Sequence, residues 1–136
     1  MKKVEELYPQ EDYGLDCFCC YDYNPMLKEF GDILIQVDDD DWQGDSRVLY
    51  EKDGKLGYLL FGWGSCSGCD SLQACENYKE LQEHMDWLNN SIQWFDSNED
   101  CLRFFKEHDW EGDYCSHVEE QKEFIEKVIG YLTHGL

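Results

Sequence analysis

The stretch that decides the fold class is Arg47-Val48-Leu49-Tyr50-Glu51, followed by Lys52-Asp53-Gly54-Lys55 and then Leu56-Gly57-Tyr58-Leu59-Leu60-Phe61-Gly62-Trp63. Two runs rich in aliphatic and aromatic residues flank Asp53-Gly54, the dipeptide that supplies the left-handed backbone of a tight hairpin turn. The spacing predicts strands from Arg47 to Glu51 and from Leu56 to Trp63. Ile33-Leu34-Ile35-Gln36-Val37 predicts a further strand before them. In a weaker pattern, Leu15, Cys17, Cys19, Tyr21 and Tyr23 alternate with Asp16, Phe18, Cys20 and Asp22, with Phe18 and Cys20 blurring the period of two. The expectation is an antiparallel sheet of three or four strands.

Beyond Trp63 the period changes. Leu72, Cys75, Tyr78, Leu81, Met85, Leu88 and Ile92 recur every three or four residues, which predicts a long helix of six turns from about Ser71 with one apolar face. Ser97 followed by Asn98, Glu99 and Asp100 reads as an N-cap with acids in the first turn, opening a short helix to about His108. Val118, Ile125, Val128, Ile129 and Leu132 give a last helix its apolar stripe, with Glu123 and Lys127 paired on its wet side. The fold class is therefore α+β, a small antiparallel sheet covered by a long helix and two further C-terminal helices. A length of 136 residues fits one domain over 1–136. Within it, 1–29 is a loop-rich segment holding cysteines, 30–64 a β-meander and 70–134 the helical part.

Charge narrows the partners. Thirty-one acidic residues against eleven lysines and arginines give a net charge of -20. Nucleic-acid affinity comes largely from counterions released by basic residues, so direct nucleic-acid binding is not expected. Such a field draws basic partners and repels anionic lipid. The opening Met1-Lys2-Lys3-Val4-Glu5-Glu6 runs into acids and Pro9 without an apolar core, so no secretion signal is expected. No apolar run approaches the roughly 20 residues of a membrane helix, and a soluble, cytoplasmic protein is expected.

A reducing cytoplasm changes how eight cysteines are read. Cys66-Ser67-Gly68-Cys69 sits where the strand ending at Trp63 gives way to the helix. Cys66 and Cys69 have zinc-ligand spacing, and Cys17 with Cys19 or Cys20 would complete a tetrahedral thiolate site. Reduced, partly buried thiols without a ligand are the alternative. A strand running into C-x-x-C and a helix is also the thioredoxin arrangement. The only prolines, Pro9 and Pro25, precede the motif, and a hairpin leads into it, which argues against dithiol chemistry. Cys115-x-His117 is a pair of ligand types or a loop thiol beside a surface histidine. Gly62, Gly64 and Gly68 lack the Gly-Lys-Ser/Thr ending of a phosphate loop.

The acids themselves are candidate binding residues. Asp38, Asp39, Asp40 and Asp41 form a run, and Glu76, Glu80 and Glu83 share one side of the long helix with Lys79 as the only nearby cation. Glu119, Glu123 and Glu126 repeat the theme on the last helix. Stacked like charges cost helix stability, and a basic partner surface would neutralise them. Asp39, Asp41, Gln43 and Gly44 also fit the first, third, fifth and sixth places of a calcium loop, but the twelfth falls on Tyr50, where a bidentate acid is required. Asp41-Trp42-Gln43-Gly44-Asp45 and Asp109-Trp110-Glu111-Gly112-Asp113 share D-W-x-G-D without matching flanks, as convergent turns would.

Three stretches together carry a family resemblance: Gly31-Asp32-Ile33-Leu34-Ile35-Gln36-Val37-Asp38, Asp41-Trp42-Gln43-Gly44-Asp45, and Phe61-Gly62-Trp63-Gly64-Ser65-Cys66-Ser67-Gly68-Cys69-Asp70. The chain resembles a group of small acidic proteins encoded by tailed bacteriophages, over roughly residues 30 to 95. The resemblance implies a phage or prophage origin and a host cytoplasm, and transfers no catalytic residue. The expected function is that of an acidic binding protein engaging a basic site on a host protein, such as a defence or nucleic-acid enzyme, as a nucleic-acid mimic or inhibitor, and not an enzyme. A zinc module built on Cys17, Cys19, Cys20, Cys66 and Cys69 is the alternative, and a thiol-disulfide protein a more distant one.

Overall fold

The computed structural model describes residues 1–9, 22–41, 43–64, 75–112 and 117–134. Two short helical turns, α1 (Val4–Leu7) and α2 (Asn24–Leu27), precede three strands, β1 (Asp32–Asp38), β2 (Gly44–Lys52) and β3 (Lys55–Trp63). Then come α3 (Tyr78–Asn90), β4 (Gln93–Phe95), α4 (Asn98–Glu107), a 3-10 turn (Trp110–Gly112) and α5 (Val118–His134). The sheet is antiparallel in the order β1-β2-β3-β4. The expected α+β architecture is present. No helix among the described residues is long and apolar enough to cross a membrane.

The Asp53-Gly54 turn is as the sequence predicts. Lys52 faces Lys55, and Asp53 and Gly54 adopt φ of 53° and 80°. Positive φ at both central residues matches the right-handed twist of the flanking strands.

The sheet contains one strand that the residue pattern does not announce. The alternating segment from Leu15 to Tyr23 lies largely outside the described residues, and the strand that completes the sheet is Gln93–Phe95, inside the part read as helical. Three residues are too few to show a period. Trp94 lies across β3 at Gly57, where an added Cβ would come within 2.6 Å of the indole. Glycine at 57 is what lets the short strand close on the sheet.

The long helix is also shorter than its apolar period implied. Residues 71–74 lie outside the described set, while Cys75 and Glu76 precede the helix. Asn77 caps it: its side chain accepts from the Glu80 N–H at 2.9 Å and donates to Glu80 Oε2 at 3.3 Å. A capped N-terminus satisfies donors that would otherwise be orphaned, so helix starts here. Ser97 does the same for α4, accepting from Asp100 N–H at 3.1 Å.

Helices cover both faces of the sheet. On one face Val48, Tyr50, Leu59 and Phe61 meet Val4, Met26, Leu27, Phe30, Leu81, Met85 and Leu88 from α1, α2, α3 and their flanks. On the other, Val37, Leu49, Leu56 and Tyr58 meet Phe95, Cys101, Phe105, Phe124 and Val128. Two covered faces explain why Ser46 to Tyr50 and Leu56 to Leu59 are buried without interruption. Each large apolar side chain so buried contributes about 1.5–3 kcal/mol. On α5 the buried stripe is Phe124 and Val128, whereas Val118, expected on that stripe, is exposed at the helix start.

Strand β1 carries a bulge. Ile33 pairs with Tyr50 and Ile35 with Leu49, leaving Leu34 as the extra residue. Ile33 therefore packs with the first layer while Leu34 and Ile35 both lean on the second.

Tyr58 centres that second layer. Its ring lies 5.3 Å from Phe105, 5.6 Å from Phe124, 6.2 Å from Phe104 and 6.2 Å from Trp110, within the range of favourable aromatic pairs. Burial beside this cluster pushes the Cys101 thiol up to about 12, so it stays protonated and inert at neutral pH.

In the first layer the fully buried Tyr50 hydroxyl donates to the Leu27 carbonyl at 2.8 Å, and burial raises its pKa above the usual phenol range. Tyr50→Phe strands that carbonyl. Urea unfolding of this variant is expected to show a loss of about 1–3 kcal/mol with an unchanged denaturant slope.

Candidate interaction surface

The acidic run at the end of β1 divides into one inward and three outward side chains. Asp39 N–H donates to Asp45 O at 2.9 Å, closing the β1–β2 hairpin. The Asp39 carboxylate is fully buried and accepts from Arg47 NH1 at 2.7 Å and from Asp45 N–H at 2.7 Å. His117 Nδ1 lies 3.0 Å from its second oxygen. Gly44 sits against it so closely that a Cβ there would approach Asp39 Cβ to 2.6 Å. Asp38, Asp40 and Asp41 are exposed.

Arg47 is buried with Asp39, at 2% exposure. Removing a guanidinium and a carboxylate from water is costly unless the pair is tightly hydrogen-bonded, and here both are. His117 extends the network to the start of α5, where its carbonyl accepts from Gln121 N–H at 3.2 Å. Its Nε2 faces Asp41 Oδ2 at 3.2 Å. An imidazolium satisfies both carboxylates as donor, while a neutral ring donates to one. Burial raises the Asp45 carboxyl above its ordinary value; the neighbouring Arg47 lowers it, Asp39 raises it and His117 lowers it.

This geometry corrects one expectation. Asp39 faces inward and is held by the protein's own cation, so it is not on the surface offered to a partner. The calcium loop is excluded for the same reason, and the side chain in its twelfth place, Tyr50, is fully buried on Leu27.

The helical acids also divide. Glu76 is exposed but precedes α3, Glu80 is half-buried beside its capping Asn77, and Glu83 is exposed on the helix. Positions 80, 83, 84 and 87 follow the i, i+3, i+4, i+7 rule and share one stripe. That stripe ends in Trp87, which is 60% exposed. The Trp87 ring stacks on His84 with centroids 6.1 Å apart and planes 13° from parallel. His84 Nε2 in turn lies 3.3 Å from the Tyr23 hydroxyl.

Tyr23 joins the two acidic segments. Its ring packs 4.7 Å from Phe61, and it lines an open cavity of about 320 Å³ together with Asp38, Asp39 and Trp63. Asp38 therefore borders the same side of the molecule as the Tyr23–His84–Trp87 chain. Neither Trp87 nor Tyr23 stood out in the sequence. The available signal was a tryptophan four residues after Glu83, on the wet face of an amphipathic helix.

Cys17, Cys19, Cys20, Cys66, Cys69 and Cys115 lie outside the described residues. Cys75 is half-buried and Cys101 buried. Among the described residues no group of three or more His, Cys, Asp or Glu is gathered to hold a metal ion. The two D-W-x-G-D segments differ in structure. In the second, Gly112 N–H donates to Asp109 Oδ1 at 3.1 Å and Trp110 Nε1 donates to Phe105 O at 3.0 Å within the aromatic layer. In the first, Gly44 opens a strand and Asp41 meets His117. Each glycine makes room for an aspartate, Asp39 or Asp109, which is the feature the two share.

Arg47→Met or Asp39→Ala alone is expected to cost about 3–5 kcal/mol in urea unfolding, because each takes from a buried charge its nearest opposite charge. The double variant is expected to lose less than the sum of the two. Asp45 acts in the opposite sense. Its folded-state value lies above the unfolded 3.8, so the folded protein binds that proton more tightly and stability is withheld once pH rises past the raised value. Asp45→Asn is expected to raise the urea midpoint at pH 7, with the gain vanishing below the unfolded value.

Comparison with known proteins finds no matching family model, no matching curated protein and no matching solved structure.

Proposed function

We propose that this chain is a phage-encoded acidic protein that acts by binding, engaging a basic site on a host protein in the bacterial cytoplasm. The observation that carries the reading is Trp87, 60% exposed at the end of the stripe formed by Glu80, Glu83 and His84. Tryptophan is, with tyrosine and arginine, a residue type enriched among binding hot spots. Acids around such an anchor steer a cationic surface toward it and exclude anionic competitors. Asp38 adds charge beside Tyr23, the exposed Asp40 and Asp41 follow it in the chain, and the net charge of -20 supplies the long-range field. The phage origin rests on the resemblance of residues 30 to 95. Mimicry of nucleic acid is one way such a surface would occupy the groove of a nucleic-acid enzyme.

Immobilised protein, incubated with bacterial lysate at about 50 mM and again at about 500 mM salt, provides the test; at the higher salt exposed charge pairs are screened. The expected result is a basic protein retained at low salt, released at high salt, and retained at least about tenfold less by Trp87→Ala and by Glu83→Lys. Both substitutions are at exposed positions and are expected to leave the unfolding free energy within about 0.5 kcal/mol of the parent. Retention that is indifferent to salt and to both substitutions would overturn the reading.

A further inference from the structure

We propose that the cavity beside Tyr23 receives the side chain of one arginine from the basic partner. The inference rests on the binding reading above and sharpens it to a single chemical group. At about 320 Å³ the cavity is at the small end of ligand pockets, the scale of one long side chain. Its lining has two parts. Tyr23, Phe61 and Trp63 supply aromatic surface, and Gln36, Asp38 and Ser46 supply polar groups.

The rings are held before any ligand arrives. Trp63 Nε1–H donates to Ser46 Oγ at 2.9 Å, and Tyr23 is fixed between Phe61 and His84. Groups already ordered spare a ligand part of the entropy cost of binding. Aromatic faces attract cations, and the guanidinium, planar and weakly hydrated, stacks on them more readily than an ammonium.

Asp38 supplies the counter-charge. Its carboxylate is exposed at the end of β1 and accepts from Gln36 Nε2 at 3.1 and 3.4 Å. A carboxylate offers about four lone-pair sites, which leaves room for the two parallel donors of a guanidinium. Asp39 lines the same cavity, but Arg47, Asp45 and His117 already occupy its oxygens. A hard metal ion requires about six oxygen ligands, whereas Tyr23, Phe61, Trp63 and Leu27 present carbon to this cavity. An anion would face two carboxylates. A guanidinium matches both parts of the lining.

The test titrates the full chain with N-acetyl-arginine amide, N-acetyl-lysine amide and N-acetyl-citrulline amide. Binding is followed at the Trp63 indole N–H by two-dimensional proton–nitrogen NMR. Trp63→Phe identifies that signal by its loss, and through-bond assignment identifies it if the variant does not fold. The arginine derivative is expected to move the signal saturably and to bind at least about tenfold more tightly than neutral citrulline, the effect of one charge-assisted contact. Asp38→Asn is expected to remove that preference while leaving the rest of the spectrum in place. Equal binding of citrulline, or an unaltered preference in Asp38→Asn, overturns the proposal, and equal binding of lysine overturns the assignment to guanidinium. The titration uses no partner protein. A null titration with Trp87-dependent capture from lysate therefore overturns the cavity and leaves the surface standing, whereas the reverse result overturns the surface and leaves a cation site.

Discussion

A guanidinium can be buried only where oxygen atoms surround it, and Arg47 imposes that condition at the end of the sheet. Asp39 meets it by turning inward from a run of acids whose other members face water. Three features of the fold depend on that turn. The hairpin between β1 and β2 closes through Asp39 and Asp45, glycine occupies position 44 because the aspartate leaves no space for a Cβ, and His117 ties the start of α5 to the same carboxylate. A protein with such an excess of acids would be pushed apart by its own charge. Placing one of its few arginines at this junction sets a cation where three chain segments converge.

The sheet separates two layers. Leu81, Met85 and Leu88 of α3 close one over Val48, Tyr50, Leu59 and Phe61, and the rings that surround Tyr58 fill the other. The bulge at Leu34 lets the edge strand serve both, sending Ile33 to the first and Leu34 with Ile35 to the second. The Tyr23, His84 and Trp87 chain grows out of the first layer. Its buried end is set by core packing and its exposed end reaches solvent.

Much of the fold could be read from residues alone because local chemistry dictated it. Asp53-Gly54 has few alternatives to a tight turn, and Ser97 followed by acids has few alternatives to a helix start. The errors came where a local signal was outweighed or too short. The apolar period running back through Cys75 did not extend the helix, because Asn77 caps it first. β4 has three residues and no readable period, and it owes its place to Gly57 beneath Trp94. For the surface, the acids were visible as composition, but which of them faces inward depended on Arg47, eight positions from Asp39. Asp38, Asp40, Asp41 and Glu83 remain exposed, whereas Glu80 is committed in part to its cap. Tyr23 and Trp87 are distant in sequence and meet through His84, a relation that only the packed layers create.

The two-layer core has a consequence for observing the molecule. Trp110 donates its indole proton within the aromatic layer, and Trp63 donates to Ser46 on the opposite side of the sheet. Each layer thus holds an indole in a fixed, hydrogen-bonded setting. Fluorescence from variants retaining only one of these tryptophans reports the loosening of that layer separately, so the chain carries an intrinsic optical probe on either side of its sheet.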